Sequence, residues 1–445
     1  MRGHFPRLLH TFAVLACMAL VCGGASSKKQ SPDSRQASAP SKQSPAPQSP
    51  APQSPAPARP KSPTPAQKPA PPRRSPEIRA LWIARWDYHT PDDVKTIVRN
   101  ALALGCNCIY FQVRGEGTCY YPSKVEPWAW ELTGDEPSCT GRDPGWDPLR
   151  TALDEAHLHN LQVHAYMNVL PVWKQATAPP KASGHIYATH PEWIMVDRSG
   201  KPMSPARQGF YAFLNPALPQ VRTHLARVFA EVAERYPDLD GIHLDYIRYP
   251  GEMGDYSYDK ESLRQFKQST AGAPPEQVPL LWNRWRASRI NLLLGEISRE
   301  VRRVNPSLEI SAAVIADYKT AIETKMQRWR NWPDLGLVDA VAPMAYHYDL
   351  PVFSALLDNF LGPQRPRKGK IVVGIWPAEK WQSGNGYTQA TLGKQIALAR
   401  EKGADGVALF GYSVFFPNHK ASAWAAYVRK NWFTNTYSLR RAKPR

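Results

Sequence analysis

Asp240-Gly241-Ile242-His243-Leu244-Asp245-Tyr246-Ile247-Arg248-Tyr249-Pro250 lies near the middle of a chain of 445 residues. From Gly241 to Ile247 apolar side chains alternate with polar ones, the period of a strand, so Ile242 and Leu244 share one face and His243 and Asp245 the other. Helical patterns flank the run at 217–236 and 279–304. Seven more short runs of this kind are present: Ala80–Ala84, Cys108–Val113, Leu161–Met167, Leu308–Ile315, Val338–Ala345, Ile371–Ile375 and Gly406–Phe410. Helical patterns at 91–104, 146–159, 320–332, 350–361, 388–402 and 418–431 separate or follow them, and Thr90-Pro91-Asp92-Asp93 and Asn215-Pro216 are cap-then-proline openings. Eight strands alternating with helices predict an α/β fold, a (β/α)8 TIM barrel with long loops at the C-terminal face. A doubly wound open sheet is the alternative, but no Gly-rich turn follows the first strand.

In such a barrel the site lies at the C-terminal rim of the strands. On the second strand Ile109, Phe111 and Val113 oppose Tyr110, Gln112 and Arg114; on the third Leu161, Val163, Ala165 and Met167 oppose Gln162, His164, Tyr166 and Asn168. With the apolar faces on the helices, Gln112, Arg114, His164, Asn168, His243 and Asp245 are expected to converge inside. Burying six polar groups uncompensated is costly, which favours a binding site over packing. Asp245, beside His243 and Arg248, suits a nucleophile or base facing a developing positive sugar carbon, with Tyr246 orienting it through its hydroxyl. The plainer reading is an Asp245–Arg248 ion pair that organises the loop. Asp240, at the opposite end, reads as a turn or cap residue.

If Asp245 does act on a sugar carbon, a proton donor is needed as well. Asp87, Glu116, Asp317 and Glu379 fall at predicted strand ends, and Glu116 and Asp317 rank first among them. Glu116 sits on a turn between Gly115 and Gly117, and Asp317 follows a strand on its inward alternation. Each has another reading: Glu116 as the salt-bridge partner of Arg114, Asp317 as a helix cap. Of the 15 tryptophans, Trp86, Trp128, Trp130, Trp173, Trp376 and Trp381 fall on rim loops, where indole faces can cover sugar rings. Trp86 and Trp376 are best placed, and Tyr346 and His347 share that rim.

The ends of the chain carry its compositional bias. Arg2 and Arg7, the apolar run Leu8 to Val21 and then Gly23-Gly24-Ala25-Ser26 have the order of an export signal over 1–27. Val14-Leu15-Ala16-Cys17 and Leu20-Val21-Cys22-Gly23 are alternative lipid-attachment sequences, so a lipid anchor at Cys17 or Cys22 competes with simple cleavage near Ala25. No later run reaches the roughly 20 apolar residues of a membrane helix. Residues 28–76 hold 15 of the 44 prolines and a net charge of +8, and repeat Ser-Pro-Ala-Pro-Gln from Ser44, as a semi-rigid disordered spacer would. The barrel is expected over 77–432 and a basic tail over 433–445. Of the formal charge of +18, residues 77–428 carry only +2, so a nucleic-acid partner is not indicated. An exported chain permits disulfides, and Cys119–Cys139 is the expected pair.

The chain resembles the glycosyl hydrolase-like 10 family of bacterial envelope proteins. The likeness rests on Arg79-Ala80-Leu81-Trp82-Ile83, Phe111-Gln112-Val113-Arg114, Trp146-Asp147-Pro148-Leu149, Ala156-His157, Val163-His164-Ala165-Tyr166-Met167-Asn168 and Asp240 to Tyr246. It implies a glycosidase barrel with Asp245 at its active site, and a glycan substrate, peptidoglycan strands stripped of their peptides. The fourth strand is also similar to the signature of family-18 chitinases. That signature continues Asp-Trp-Glu-Tyr-Pro with Glu as donor, whereas here Ile247 and Arg248 intervene and no Glu is present. Three readings follow: an envelope glycosidase, a glycan-binding protein on a degenerate barrel, and a metal-dependent hydrolase using His164, His243 and Asp245. The first is expected, with no cofactor and no metal.

Overall fold

The computed structural model describes residues 76–377 and 387–434. The expected signal with Cys17 and Cys22, nearly all of the spacer, the tail beyond Thr434, Glu379 and Trp381 lie outside the described residues. Ten strands are present among the described residues: β1 (Ile78–Ile83), β2 (Cys108–Arg114), β3 (Gln162–Asn168), β4 (Pro171–Trp173), β5 (Ala212–Phe213), β6 (Gly241–Asp245), β7 (Glu309–Ile315), β8 (Ala340–Met344), β9 (Lys370–Ile375) and β10 (Gly406–Phe410). Eight of them, all parallel, close a barrel in the order β1-β10-β9-β8-β7-β6-β3-β2. The TIM barrel read from the alternation is the fold.

Helices Pro91–Leu104, Pro148–His157, Pro219–Arg235, Pro279–Val304, Leu350–Leu361, Gln389–Glu401 and Ala423–Asn431 follow barrel strands. Thr90 caps the first through Asp93 N, and the Asp93 side chain answers to the Thr90 backbone, a reciprocal box that satisfies donors the helix cannot. Asn215-Pro216 does not open a helix. Asn215 Oδ1 instead accepts from Ala217 N at 3.1 Å and Ser257 Oγ at 3.0 Å, tying two rim loops together, and the helix begins at Pro219. The helix expected over 320–332 is broken into Tyr318–Glu323 and a short turn at Trp329–Asn331, with Met326 between them at φ +53°. The antiparallel β4–β5 hairpin and the helix Lys260–Ser269, capped by Asp259, were not expected.

Two apolar layers sandwich the strands. Ile109, Phe111, Val163, Ala165, Ile242 and Leu244 are fully buried on the outward face, as the alternation predicts. The interior is filled rather than hollow: Ala80, Trp82, Tyr110, Tyr166, Ala342, Val372 and Ala408 form its cluster, with Phe410 packed on it. At the base, Asp240 Oδ2 accepts from Val163 N at 2.9 Å and bonds His157 Nε2 at 3.0 Å, so in place of the expected turn or cap it braces β6 against β3 and the helix before it. Phe433, placed in the tail by the sequence, is fully buried, so the folded body reaches past residue 432.

Candidate active site

Asp245 ends β6 at the C-terminal rim, and three donors fix its carboxylate. Oδ1 accepts from Tyr246 N at 2.6 Å and Arg248 Nη1 at 2.8 Å; Oδ2 accepts from the Tyr166 hydroxyl at 3.0 Å. A carboxylate has about four lone-pair sites, so Oδ2 keeps one for a substrate or water. Tyr246 reaches Oδ1 because its backbone turns into the left-handed region, φ +52°. Its ring faces outward, with Arg248 Cζ 4.1 Å from its centroid and Phe210, Tyr211 and Phe213 at 6.0–6.5 Å. The orienting hydroxyl therefore comes from Tyr166; Tyr246 contributes its amide. Across the rim stand Tyr346, Trp376 and Phe410, with mutual centroid distances of 5.7–5.9 Å. Burial, and the Asp245 charge facing it, push the Tyr346 hydroxyl well above its usual value.

The two histidines do not reach this rim. Ladder pairing sets His164 beside Gly241, four residues before Asp245, or about 13 Å lower at 3.3 Å per residue. His243 lies two residues below Asp245, stacked on Tyr110 at 3.9 Å. The Trp82 indole can only donate, so His243 Nε2 is an acceptor at 3.0 Å and Nδ1 carries the proton toward Ser311 Oγ at 2.8 Å. Burial first, then His164, depress its pKa well below the ordinary imidazole value, consistent with this neutral tautomer. With both His243 nitrogens so engaged, the three-residue metal set does not assemble. Among the described residues no group of three His, Cys, Asp or Glu side chains is arranged to hold an ion.

The upper part of β2 departs from simple alternation. A bulge between Gln112 and Arg114 shifts the pairing with β3, so Arg114 turns from the expected inward face. Its guanidinium meets Glu126 at 2.6 and 2.7 Å, both side chains fully buried, and also binds the carbonyls of Asn168 and Val169. Arg114 thus pins the loop after β2; its partner is Glu126, not Glu116. Gln112 Oε1 accepts from Arg85 N at 3.0 Å, and Asn168 Nδ2 donates to Gly115 O at 3.0 Å, so both brace rim loops. The expected disulfide is absent: Cys119 and Cys139 are buried free thiols. Cys119 Sγ points to Glu126 Oε2 at 3.8 Å, whereas Cys139 packs with Trp130 and Trp173.

Glu116 lies in a second constellation beside the first. Its carboxyl is fully buried, and burial pushes its pKa up to about 7 against the opposing pull of Arg85. Arg85 crosses Gly115, where a Cβ would stand 2.6 Å from its Cδ, so that glycine makes the approach possible. Arg85 then donates to the Tyr211 hydroxyl at 3.2 Å and pairs with Glu131 at 3.4 Å. Tyr211 joins the two constellations, its ring 6.0 Å from that of Tyr246. Asp317 takes the cap, accepting from Thr320 N at 2.8 Å at the start of the Tyr318–Glu323 helix. Trp86 is 41% exposed, with Arg85 Cζ 5.3 Å from its centroid. Trp130 and Trp173 are buried in loop packing. Sequence reading missed Arg85, Tyr120, Glu131, Lys174 and Tyr211. Arg85 alone carried a local signal, a charge immediately beyond an apolar strand.

The comparisons agree with this architecture. The chain is 26% identical to the glycosyl hydrolase DigH of Escherichia coli (strain K12) over 298 residues, 61% of this chain and 62% of that protein. It therefore spans less than two thirds of that relative's length. It is 24% identical to the glycosyl hydrolase YngK of Bacillus subtilis (strain 168) over 364 residues, 73% of this chain and 67% of that one. Among solved structures, the PgaB (BpsB) glycoside hydrolase domain from Bordetella bronchiseptica superposes with a TM-score of 0.55 at 15% identity, covering 77% of this chain and 97% of that one. The catalytic domain of β-amylase from Paenibacillus polymyxa gives 0.57 at 12% identity, with 80% and 98% covered; at such identities the likeness is one of fold. The glycosyl hydrolase-like 10 model matches residues 77–383, most of the chain and all of β1 to β9, and the chain belongs to that family.

Proposed function

We propose that the protein is a glycoside hydrolase of the bacterial envelope that cuts peptidoglycan strands stripped of their peptides. The observation that carries this reading is Asp245, held at the barrel rim by three donors with a lone-pair site to spare, opposite an aromatic wall. Asp245 acts as nucleophile, or as base toward water, on the anomeric carbon. Arg248 and the Tyr246 amide hold Oδ1, which turns Oδ2 to the sugar. Glu116, with a pKa near neutrality, supplies the proton to the leaving oxygen. Trp376 and Phe410 offer faces for sugar rings, and exposed Trp86 does so on the other side. The family and the relatives' names support the reaction class; the peptidoglycan strand is what the resemblance to that family implies. The export signal and Pro-rich spacer fit an enzyme held off a membrane by a lipid on Cys17 or Cys22.

The test is reducing-end release from amidase-stripped peptidoglycan by the purified protein and by Asp245→Asn. The wild type should cut, and the variant should fall by about 10³-fold while still binding the strands. Binding by both with cleavage by neither would make this a carbohydrate-recognition barrel.

A further inference from the structure

Beside Asp245, several fully buried polar atoms converge without hydrogen-bond partners: Arg85 Nη1, both oxygens of Glu116, the Tyr120 hydroxyl, Trp130 Nε1 and Glu131 Oε2. They come from different loops, Arg85 from that after β1 and the others from that after β2. Lys174, directly after β4, is half-buried, within electrostatic reach of Arg85, Glu116 and Glu131, and 5.8 Å from the Tyr211 ring centroid. Orphaned buried polar atoms are expensive, and native proteins keep them where something else completes the bonding. Here cations and carboxylates face one another without closing. Arg85 spends Nη2 on Tyr211 and Nε on Glu131 and leaves Nη1 over; the Trp130 indole N–H faces Glu116 just outside bonding geometry. Of the six orphaned atoms three are donors, a guanidinium N–H, an indole N–H and a phenol O–H, and three are carboxylate oxygens; the Lys174 ammonium stands beside them as a further donor.

We propose that this cluster is a subsite for a carboxylate carried on the sugar, bound by Arg85 and Lys174 with Tyr120 and Trp130 as neutral donors, so that the enzyme selects anionic over neutral glycans. The inference rests on the glycan-cleaving reading above and adds to it which ring substituent is recognised. Two basic side chains, Arg85 and Lys174, reach the cluster, and burial favours the protonated, neutral form of Glu116. Charge-assisted bonds to buried groups are the strong kind, so selectivity should be large.

Calorimetry on the full chain carrying Asp245→Asn tests this without turnover. The two probes are peptide-stripped peptidoglycan strands and the same strands with their carboxylates capped as methylamides. The free-carboxylate strands should bind at least about tenfold more tightly. Lys174→Gln, at this half-buried position, should erase most of that difference. Equal affinity for both probes, equal loss with both in Lys174→Gln, or no binding of either overturns the subsite. Cleavage by the wild type without discrimination overturns the subsite alone, whereas discrimination without cleavage leaves it standing and removes the hydrolase.

Discussion

Glu116 and Asp245 are both rim carboxylates, and their surroundings give them opposite characters. Asp245 has an arginine and two further donors on its oxygens. Glu116 is wrapped in protein with no bond to either oxygen, and burial lifts its pKa from the ordinary 4.5 to about 7. Its folded-state value lies above its unfolded one, so the native state keeps a proton that the unfolded chain gives up. Stability therefore falls as pH climbs from about 4.5 to 7. Glu116→Gln should match the wild type in urea unfolding at pH 4 and exceed it at pH 8 by about 2–3 kcal/mol. The same proton sets the activity profile. The wild-type kcat/KM should decline above an apparent pKa of about 7, and this limb should vanish in Glu116→Gln. Arg85, Tyr120, Glu131, Lys174 and Tyr211 all face the group. Lys174 pulls its pKa down, so Lys174→Gln should move the limb upward. Tyr166→Phe removes the bond to Asp245 Oδ2 alone, and kcat should drop about 10- to 100-fold with little change in Tm.

Among the elements, β2 shows where pattern reading succeeds and where it stops. Cys108 to Gln112 alternate as the period of two requires, and the strands were legible to within two residues at either end because each is a short β-branched run between helices. Beyond Gln112 one extra residue moves Arg114 off the inward face, and nothing local in Val113-Arg114-Gly115 marks that bulge. Arg114 and Glu126 are 12 residues apart, so their pairing belongs to the loop's path. The same holds for the β4–β5 hairpin, whose strands pair across nearly forty residues and are too short to carry a period. Of the site, Asp245 and Arg248 were readable because strand end and loop start adjoin in sequence. The Arg85 cluster was not, since its members meet only once three rim segments have folded. The β2 loop hangs on the Arg114–Glu126 pair. Although burial alone would raise the Glu126 carboxyl, Arg114 and His224 hold it well below the usual carboxylate range. Glu126→Gln leaves a buried guanidinium unpaired and should cost about 3–5 kcal/mol in chemical denaturation. In the wild type this contribution is complete above about pH 4.5 and is lost as acid protonates Glu126.

For the whole barrel, closure joins the first strand to the last, and the two ends of the body are clamped together below it. β1 pairs with β10 from Ile78↔Gly406 to Trp82↔Phe410. Glu77, one residue before β1, binds Arg400 at 2.6 and 2.9 Å, and Arg400 also donates to Trp432 O at 3.0 Å. Phe433 lies against Gly105, at the end of the first helix, and under Arg79. The last helix therefore closes the ring from outside, and its fit is read at Gly393. Glycine inside a helix normally costs about 1 kcal/mol relative to alanine, so Gly393→Ala in the Gln389–Glu401 helix would be expected to stabilise. Here a Cβ would stand 2.6 Å from the Tyr427 hydroxyl and 2.7 Å from Trp432 Nε1. Overpacking of this kind costs about 1–3 kcal/mol, so the sign reverses and Gly393→Ala should lower Tm. Combining it with Tyr427→Phe and Trp432→Ala opens the contact, and in that background the alanine should recover its helical advantage. A double-mutant cycle in urea showing no coupling between position 393 and this pair would mean that the last helix does not seat on the barrel as closely as its packing at Gly393 requires.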